Sequence, residues 1–244
     1  MIELIHRYPI VIKVLLTLVT VAFIGTGGWM WKTGKEAEGD YAAKIKDETV
    51  SMKEYQDTLQ RMQEFYSQTF QGKLPPDFMK KLDINKRALD SLVEKKLLLV
   101  AAKSEGVKVG DEDIARAITE GKSFQDESGK FSKDRYLSIL KSNGMTPSSF
   151  ENSMRDDLTV DKFRNMIKDS VYVTDNDLRD YYTKQMSSQG KPFSEEEFKA
   201  KHDELMRSVT STLQEKALKS FVEGLKSTYK PVINQQLISQ QAAS

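Results

Sequence analysis

The chain has 244 residues, balances 37 basic against 36 acidic side chains, and holds no cysteine and two histidines. Disulfides, thiolate nucleophiles and cysteine metal sites are excluded, and His6 and His202 lie too far apart in sequence to found a histidine metal site or a triad within one chain. A net charge of +1 gives no footprint for nucleic acid, which needs clustered positive charge.

The mean hydropathy of −0.53 is that of a polar protein, but it conceals a mixture, because both tryptophans and the long apolar run sit at the N-terminus. Val14 to Trp31 is 18 residues without a charge. As a helix it spans roughly 27 Å, close to the ~30 Å hydrocarbon thickness of a bilayer. Tyr8 at one end and Trp29 and Trp31 at the other stand where interfacial aromatic belts form, and Lys13 can snorkel to the near interface. Lys and Arg are equally distributed on the two sides, so the positive-inside rule favours a cytoplasmic N-terminus only weakly. The rival is a cleaved signal peptide, but no A-x-A-like site follows the run, and Gly25-Thr26-Gly27 is a poor substitute. The reading is an uncleaved anchor over 1–31 and a polar linker over 32–40.

Beyond it, glycine, proline and capping residues divide a mostly helical pattern. Tyr41–Ile45 reads as a strand. Ser51-Met-Lys-Glu54 is a capping box that opens a helix with Met52, Tyr55, Leu59, Met62, Phe65, Tyr66 and Phe70 along one apolar stripe. Gly72 and Pro75-Pro76 end it, and a short helix follows over Asp77–Leu82. Ile84–Glu105 is apolar nearly all round in its second half, Leu97–Ala102, which places it at the centre of a core; Gly106 stops it. Asp111-Glu-Asp113 starts another helix, Phe124–Phe131 is a loop, and Ser132 caps a helix ended by Gly144. Thr146-Pro147 opens a helix to about Lys168, and Val171–Val173 is extended. Thr174 caps a helix from Asp175 to Met186. Ser194-Glu-Glu-Glu197 is a second capping box, opening a long final helix, Glu195–Thr228, with Phe198, Leu205, Val209, Leu213, Ala217, Phe221 and Leu225 on one face. Pro231–Ile238 reads as a terminal strand. The fold class is mainly α with a few short strands, over 41–238.

Catalytic patterns fail on inspection. Ser138-Ile-Leu-Lys141, Lys32-Thr-Gly34 and Thr174-Asp-Asn176 imitate the three motifs of penicillin-binding proteins, but in the wrong order and with the second beside the membrane. Asp126-Glu-Ser-Gly129 and Asp175-Asn-Asp177 do not continue as calcium loops. His202 near the apolar face of the last helix is a packing residue before it is a general base. No phosphate loop follows a strand. Neither a metal nor a cofactor is expected. The module does carry eight methionines beyond Met1 and Met30, residues that fill core gaps and also suit adaptable apolar binding surfaces.

The order of segments is itself distinctive. YAAKIKDETVSMKEYQDTLQRMQEFY is followed by QGKLPPDFMKKLDI, then ALDSLVEKKLLLVAAKSEGVKV, FQDESGKFSKDRYLSIL, GMTPSSFENSMRDDL and VYVTDNDLRDYY. This resembles the N-terminal chaperone domain of the SurA/PpiD family of periplasmic folding factors over about 41–182, and the anchor resembles the PpiD branch. The long helix and PVINQQL, over 194–238, resemble the family's C-terminal segment, which returns to complete the core. Two departures stand out. Lys46-Asp47 replaces the Asn-Gly turn usual after the first strand, and only Thr183–Phe193 stands where relatives carry a parvulin prolyl-isomerase domain.

The resemblance implies an ATP-independent chaperone without isomerase activity, anchored in the inner membrane with its C-terminal domain in the periplasm. Its partners would be unfolded or nascent secreted and outer-membrane proteins, with the translocation machinery a further candidate and nucleic acid excluded. Candidate client contacts are Tyr55, Met62, Phe65, Tyr66, Phe70, Phe78 and Met79, each of which could equally be core. The alternatives are an envelope assembly or scaffold factor with one defined partner, and an active isomerase. N-terminal sequencing of membrane-fraction protein checks the anchor: the chain is expected to begin at or next to Met1, whereas a start near residue 28 identifies a cleaved signal.

Overall fold

A computed structural model of the chain describes residues 41–70 and 83–242. The expected anchor over 1–31, the linker over 32–40, the short helix over Asp77–Leu82, and with it Phe78 and Met79, lie outside the described residues. Among the described residues, no helix is long and apolar enough to cross a membrane. The architecture is mainly helical. Strands β1 (Tyr41–Ile45) and β2 (Glu48–Ser51) precede helices α1 (Met52–Thr69), α2 (Ile84–Ser104), α3 (Asp111–Glu120), α4 (Lys133–Ser142), α5 (Pro147–Asp169), α6 (Asp175–Ser188) and α7 (Glu195–Tyr229). Strand β3 (Val232–Ile233) and helix α8 (Gln235–Ala242) complete it, and a single 3₁₀ turn covers Lys122–Phe124.

The chain divides into two compact units: one holds Arg164–Gly224, the other the described residues of Gly34–Phe163 and Leu225–Ser244. In the latter, β1 and β2 form an antiparallel hairpin with Ile45 opposite Glu48 and Ala43 opposite Val50. The pairing slips between Tyr41 and Ala43, and there the alternation of faces breaks, so that Ala42 and Ala43 are both fully buried. β3 pairs with the other edge of β1, Ala43 opposite Ile233 and Lys44 opposite Val232, giving the order β2-β1-β3. Chain-terminal residues thus complete a sheet begun at the start of the described chain.

This sheet, the first half of α1 and α2 enclose one core, built from Ile45, Val50, Met52, Tyr55, Leu89, Leu92, Val93 and Leu97, with Leu225, Tyr229, Ile233, Leu237 and Ile238 packed against it. Leu97 to Ala102 are buried without interruption, as the all-round apolar character of α2 requires. Lys96, only 13% exposed in its side chain, is met by Glu48 at 3.6 Å and Glu54 at 4.0 Å, so its partly buried charge is paired. A second cluster joins α3, α4 and α5 through Ile114, Ile118, Phe124, Tyr136 and Leu140, with Phe150 edge-on to Phe124 at 5.6 Å between centroids. Arg155 of α5 donates to the Val109 carbonyl at 2.9 Å and to Asp111 at 2.7 Å, tying α5 to the connector that precedes α3.

The unit Arg164–Gly224 is built on α6 and the larger part of α7. Val173, Leu178, Tyr182 and Met186 pack on Phe198 and Val209, with Leu205, Met206 and Leu213 at the margin. Lys168, near the end of α5, reaches Glu215 at 2.6 Å, and its carbonyl accepts from Gln214 at 3.2 Å.

One expectation is corrected. The terminal strand over Pro231–Ile238 reduces to Val232–Ile233, because Asn234 ends the pairing and caps α8: its N–H donates to the Ala42 carbonyl at 3.0 Å, while its Oδ1 accepts from the Leu237 N–H at 3.3 Å. Leu237 and Ile238 then reach the core from a helix. The extended Val171–Val173 joins no ladder and serves as a connector. The Lys46-Asp47 turn closes the hairpin with Lys46 in left-handed backbone, φ 53°. Lys230, after the end of α7, also has positive φ, 45°. A side-chain-bearing residue there costs about 1–2 kcal/mol, which glycine avoids while losing about 0.5–1 kcal/mol to chain entropy. Lys46→Gly and Lys230→Gly should therefore each raise stability by about 0.5–1 kcal/mol, read as a higher midpoint in urea unfolding; a lowered midpoint contradicts this account of the two turns.

Candidate functional site

The apolar stripe of α1 is continuous in sequence but is used in two ways. Ser51 starts the helix, its Oγ accepting from the Glu54 N–H at 3.1 Å. Met52 and Tyr55 are buried, Leu59 and Met62 are partly buried against the same core, and the stripe then runs on beyond it. Phe65 is 64% exposed and Phe70, the residue closing the helix, 43%. Tyr66 is half-buried, its ring edge-on to Phe65 at 5.7 Å. Three pairs of polar side chains on α1 bond within the helix, Lys53 to Asp57 at 2.6 Å, Arg61 to Thr58 at 3.0 Å and Gln60 to Glu64 at 2.8 Å. Those pairs keep the polar face solvated and leave the apolar face uncrowded.

Of the seven candidate contacts, the structure brings together Met62, Phe65, Tyr66 and Phe70 on the second half of α1. Tyr55 is a correction: at 1% exposure no client can reach it. Its hydroxyl donates to the Asn85 carbonyl at 3.4 Å, pinning α1 to the start of α2, and burial, with the nearby Asp83 carboxylate, raises its pKa.

Further exposed apolar residues escaped the sequence reading. In the larger unit these are Phe131, Leu137 and Met145; in the unit Arg164–Gly224 they are Met166, Tyr172, Tyr181 and Phe193, with Tyr172 the most open at 77%. Periodicity marks two of them in retrospect. Tyr172 alternates with the buried Val171 and Val173. Tyr181 stands beside the stripe Leu178, Tyr182 and Met186, which takes the buried face of α6.

Lys32-Thr-Gly34 lies outside the described residues, and the other catalytic and calcium-loop imitations are part of local structure. Thr174 and Asp177 form a reciprocal capping box on α6, the Thr174 N–H donating to Asp177 at 3.0 Å and the Asp177 N–H to Thr174 Oγ1 at 3.1 Å. Asp126 accepts from the N–H groups of Ser128 and Lys130 at 2.8 and 3.1 Å, a polar turn whose hydrogen bonds, led by that from the Ser128 hydroxyl, hold its carboxyl below the usual range. Ser138 and Lys141 both lie exposed on α4. Among the described residues, no three His, Asp or Glu side chains converge on a metal position. His202 packs edge-on to Phe198 at 5.8 Å between centroids, as expected of a partly buried packing residue, and it also bonds two carboxylates.

The chain is similar to known folding factors. Over 163 residues it is 28% identical to periplasmic chaperone PpiD of Escherichia coli strain K12, covering 64% of this chain and 25% of that protein. Over 188 residues it is 27% identical to foldase protein PrsA of Caldanaerobacter subterraneus subsp. tengcongensis, covering 72% of this chain and 53% of that protein. The chain therefore spans about a quarter of the first relative's length and about half of the second's. Residues 1–164 match the family described as the SurA-like N-terminal domain, and the chain belongs to that family.

Proposed function

We propose that this protein is a membrane-anchored, ATP-independent periplasmic chaperone that holds unfolded or newly translocated envelope proteins and does not isomerise prolyl bonds. The observation that carries the reading is the second half of α1, where Phe65, Tyr66, Phe70 and Met62 continue a core stripe into solvent. A helix rarely spends two phenylalanines on exposure unless something covers them part of the time. Aromatic rings bury large area without fixing register, which suits clients of differing sequence, and Met62 adds an adaptable side chain. The names of the relatives, a chaperone and a foldase, support the same reading. An anchor over 1–31 would hold this face near the site where clients leave the membrane, raising their effective concentration. The exclusion of isomerase activity rests on the short Gln189–Ser194 connection between α6 and α7.

The full chain in lipid nanodiscs should suppress aggregation of a denatured test protein at severalfold excess; no suppression overturns the proposal. Phe65→Ser combined with Phe70→Ser should weaken holding about thirtyfold or more, since each ring buried on a client contributes roughly 1 kcal/mol or more. For Phe65→Ser alone the unfolding midpoint should stay put, because that ring is 64% exposed. Photocrosslinking from position 65 in membranes should give a smear of nascent proteins, whereas one dominant adduct would identify a scaffold with a single partner. Turnover of a short prolyl peptide would contradict the isomerase-free reading.

A further inference from the structure

His202 of α7 is held by carboxylates on both sides of its ring. Nε2 lies 3.1 Å from Asp175 Oδ1, in the first turn of α6, and Nδ1 lies 3.1 Å from Asp203 Oδ1 on its own helix. A neutral imidazole carries one N–H and one lone pair, so it can donate to only one of these carboxylates and must turn its lone pair on the other. The imidazolium alone donates to both. The remaining charged groups around the ring leave this demand in place. Arg179 of α6 is committed to Glu195 of α7 through two bonds, one of them 2.6 Å from Nη2 to Oε1, and lies over the Phe198 ring at 4.7 Å. Lys199 is 3.9 Å from Glu195, and Asp177 is occupied by the Thr174 cap. Asp175, Arg179, Phe198, Lys199, His202 and Asp203 line a shallow cleft of about 400 Å³ between the two helices.

We propose that His202 is a proton-operated clamp: protonated, it donates to both Asp175 and Asp203 and fastens the first turn of α6 to α7, and on losing its proton it can donate to only one of them, which loosens the fastening. The two carboxylates raise the His202 pKa above the ordinary imidazole value, the bond to Asp203 first and that to Asp175 second. Glu195 is held below the usual carboxylate range by its bonds to Arg179, so it stays charged while His202 titrates. The sign follows from the direction of the histidine shift. A group whose pKa is higher folded than unfolded contributes stability that is complete below the unfolded value of about 6.5 and disappears as pH rises through the folded value. The clamp is therefore closed in mild acid and loosens toward alkaline pH. The ring sits edge-on to Phe198, itself 2% exposed and part of the core of this unit, so the clamp lies at the margin of that core.

With only two histidines, the test is direct. Proton NMR of the full chain in detergent micelles resolves both imidazoles, and His202→Gln identifies the signal that disappears. The His202 signal should titrate above the ordinary value, and Asp175→Asn should bring it down. Hydrogen exchange of residues 175–182, corrected for intrinsic rate, should lose about tenfold in protection between mild acid and alkali for each pH unit by which the folded ring titrates above the unfolded one. In His202→Gln that pH dependence should vanish. Titration of His202 at or below the ordinary value, or the same loss of protection in His202→Gln, would overturn the clamp.

Discussion

Helix α2 is the constraint from which the larger unit follows. Six consecutive residues, Leu97 to Ala102, are buried, so this stretch of the helix has no face to give to water and must be covered on every side. The β1–β2 hairpin and the start of α1 cover part of it from nearby sequence. The rest of that core comes from the far end of the described chain, where Leu225, Tyr229, Ile233, Leu237 and Ile238 pack against it and β3 adds to the sheet. Burying each large aliphatic side chain contributes about 1.5–3 kcal/mol, enough to draw together segments well over a hundred residues apart despite the slow logarithmic cost of closing so long a loop.

The exposure of α1 is the other side of the same constraint. Once α2 is enclosed, the core takes up Met52 and Tyr55, and Leu59 and Met62 at its edge, while the helix continues to Thr69. Intrahelical pairs such as Gln60–Glu64 support that extension locally. A helix whose first half is rooted in the core is pre-organised, which lowers the ordering cost of any contact made on its second half.

Half of each capping box expected at Ser51 and Ser194 forms, and the other half is used elsewhere. Ser51 and Ser194 each accept the expected backbone N–H, but the partner carboxylates face other elements: Glu54 lies near Lys96, and Glu197 accepts from the Tyr182 hydroxyl at 3.1 Å. In both cases a local helix signal also ties that helix to another. His202 follows the same logic, with an apolar edge toward Phe198 and two polar corners toward carboxylates.

Helix boundaries were legible from the residues because the forces that set them are local. The caps at Ser51, Ser132 and Thr174 and the stops at Gly106 and Gly144 depend on hydrogen bonds and backbone angles within a few positions. So too was the central place of α2, since an all-round apolar helix has no alternative to burial. The extended collinear likeness to a chaperone family was likewise readable in the chain. The division of the α1 stripe was not: Tyr55 and Phe65 are alike in type and spacing, and periodicity cannot show where the opposing surface ends. Nor could it show that Asn234 would turn a strand into a helix, because that depends on the pairing of Ala42 with a distant segment. Local sequence determined the elements and their apolar faces; only the tertiary structure decided which part of each face stayed open, because burial depends on what the rest of the chain brings to it.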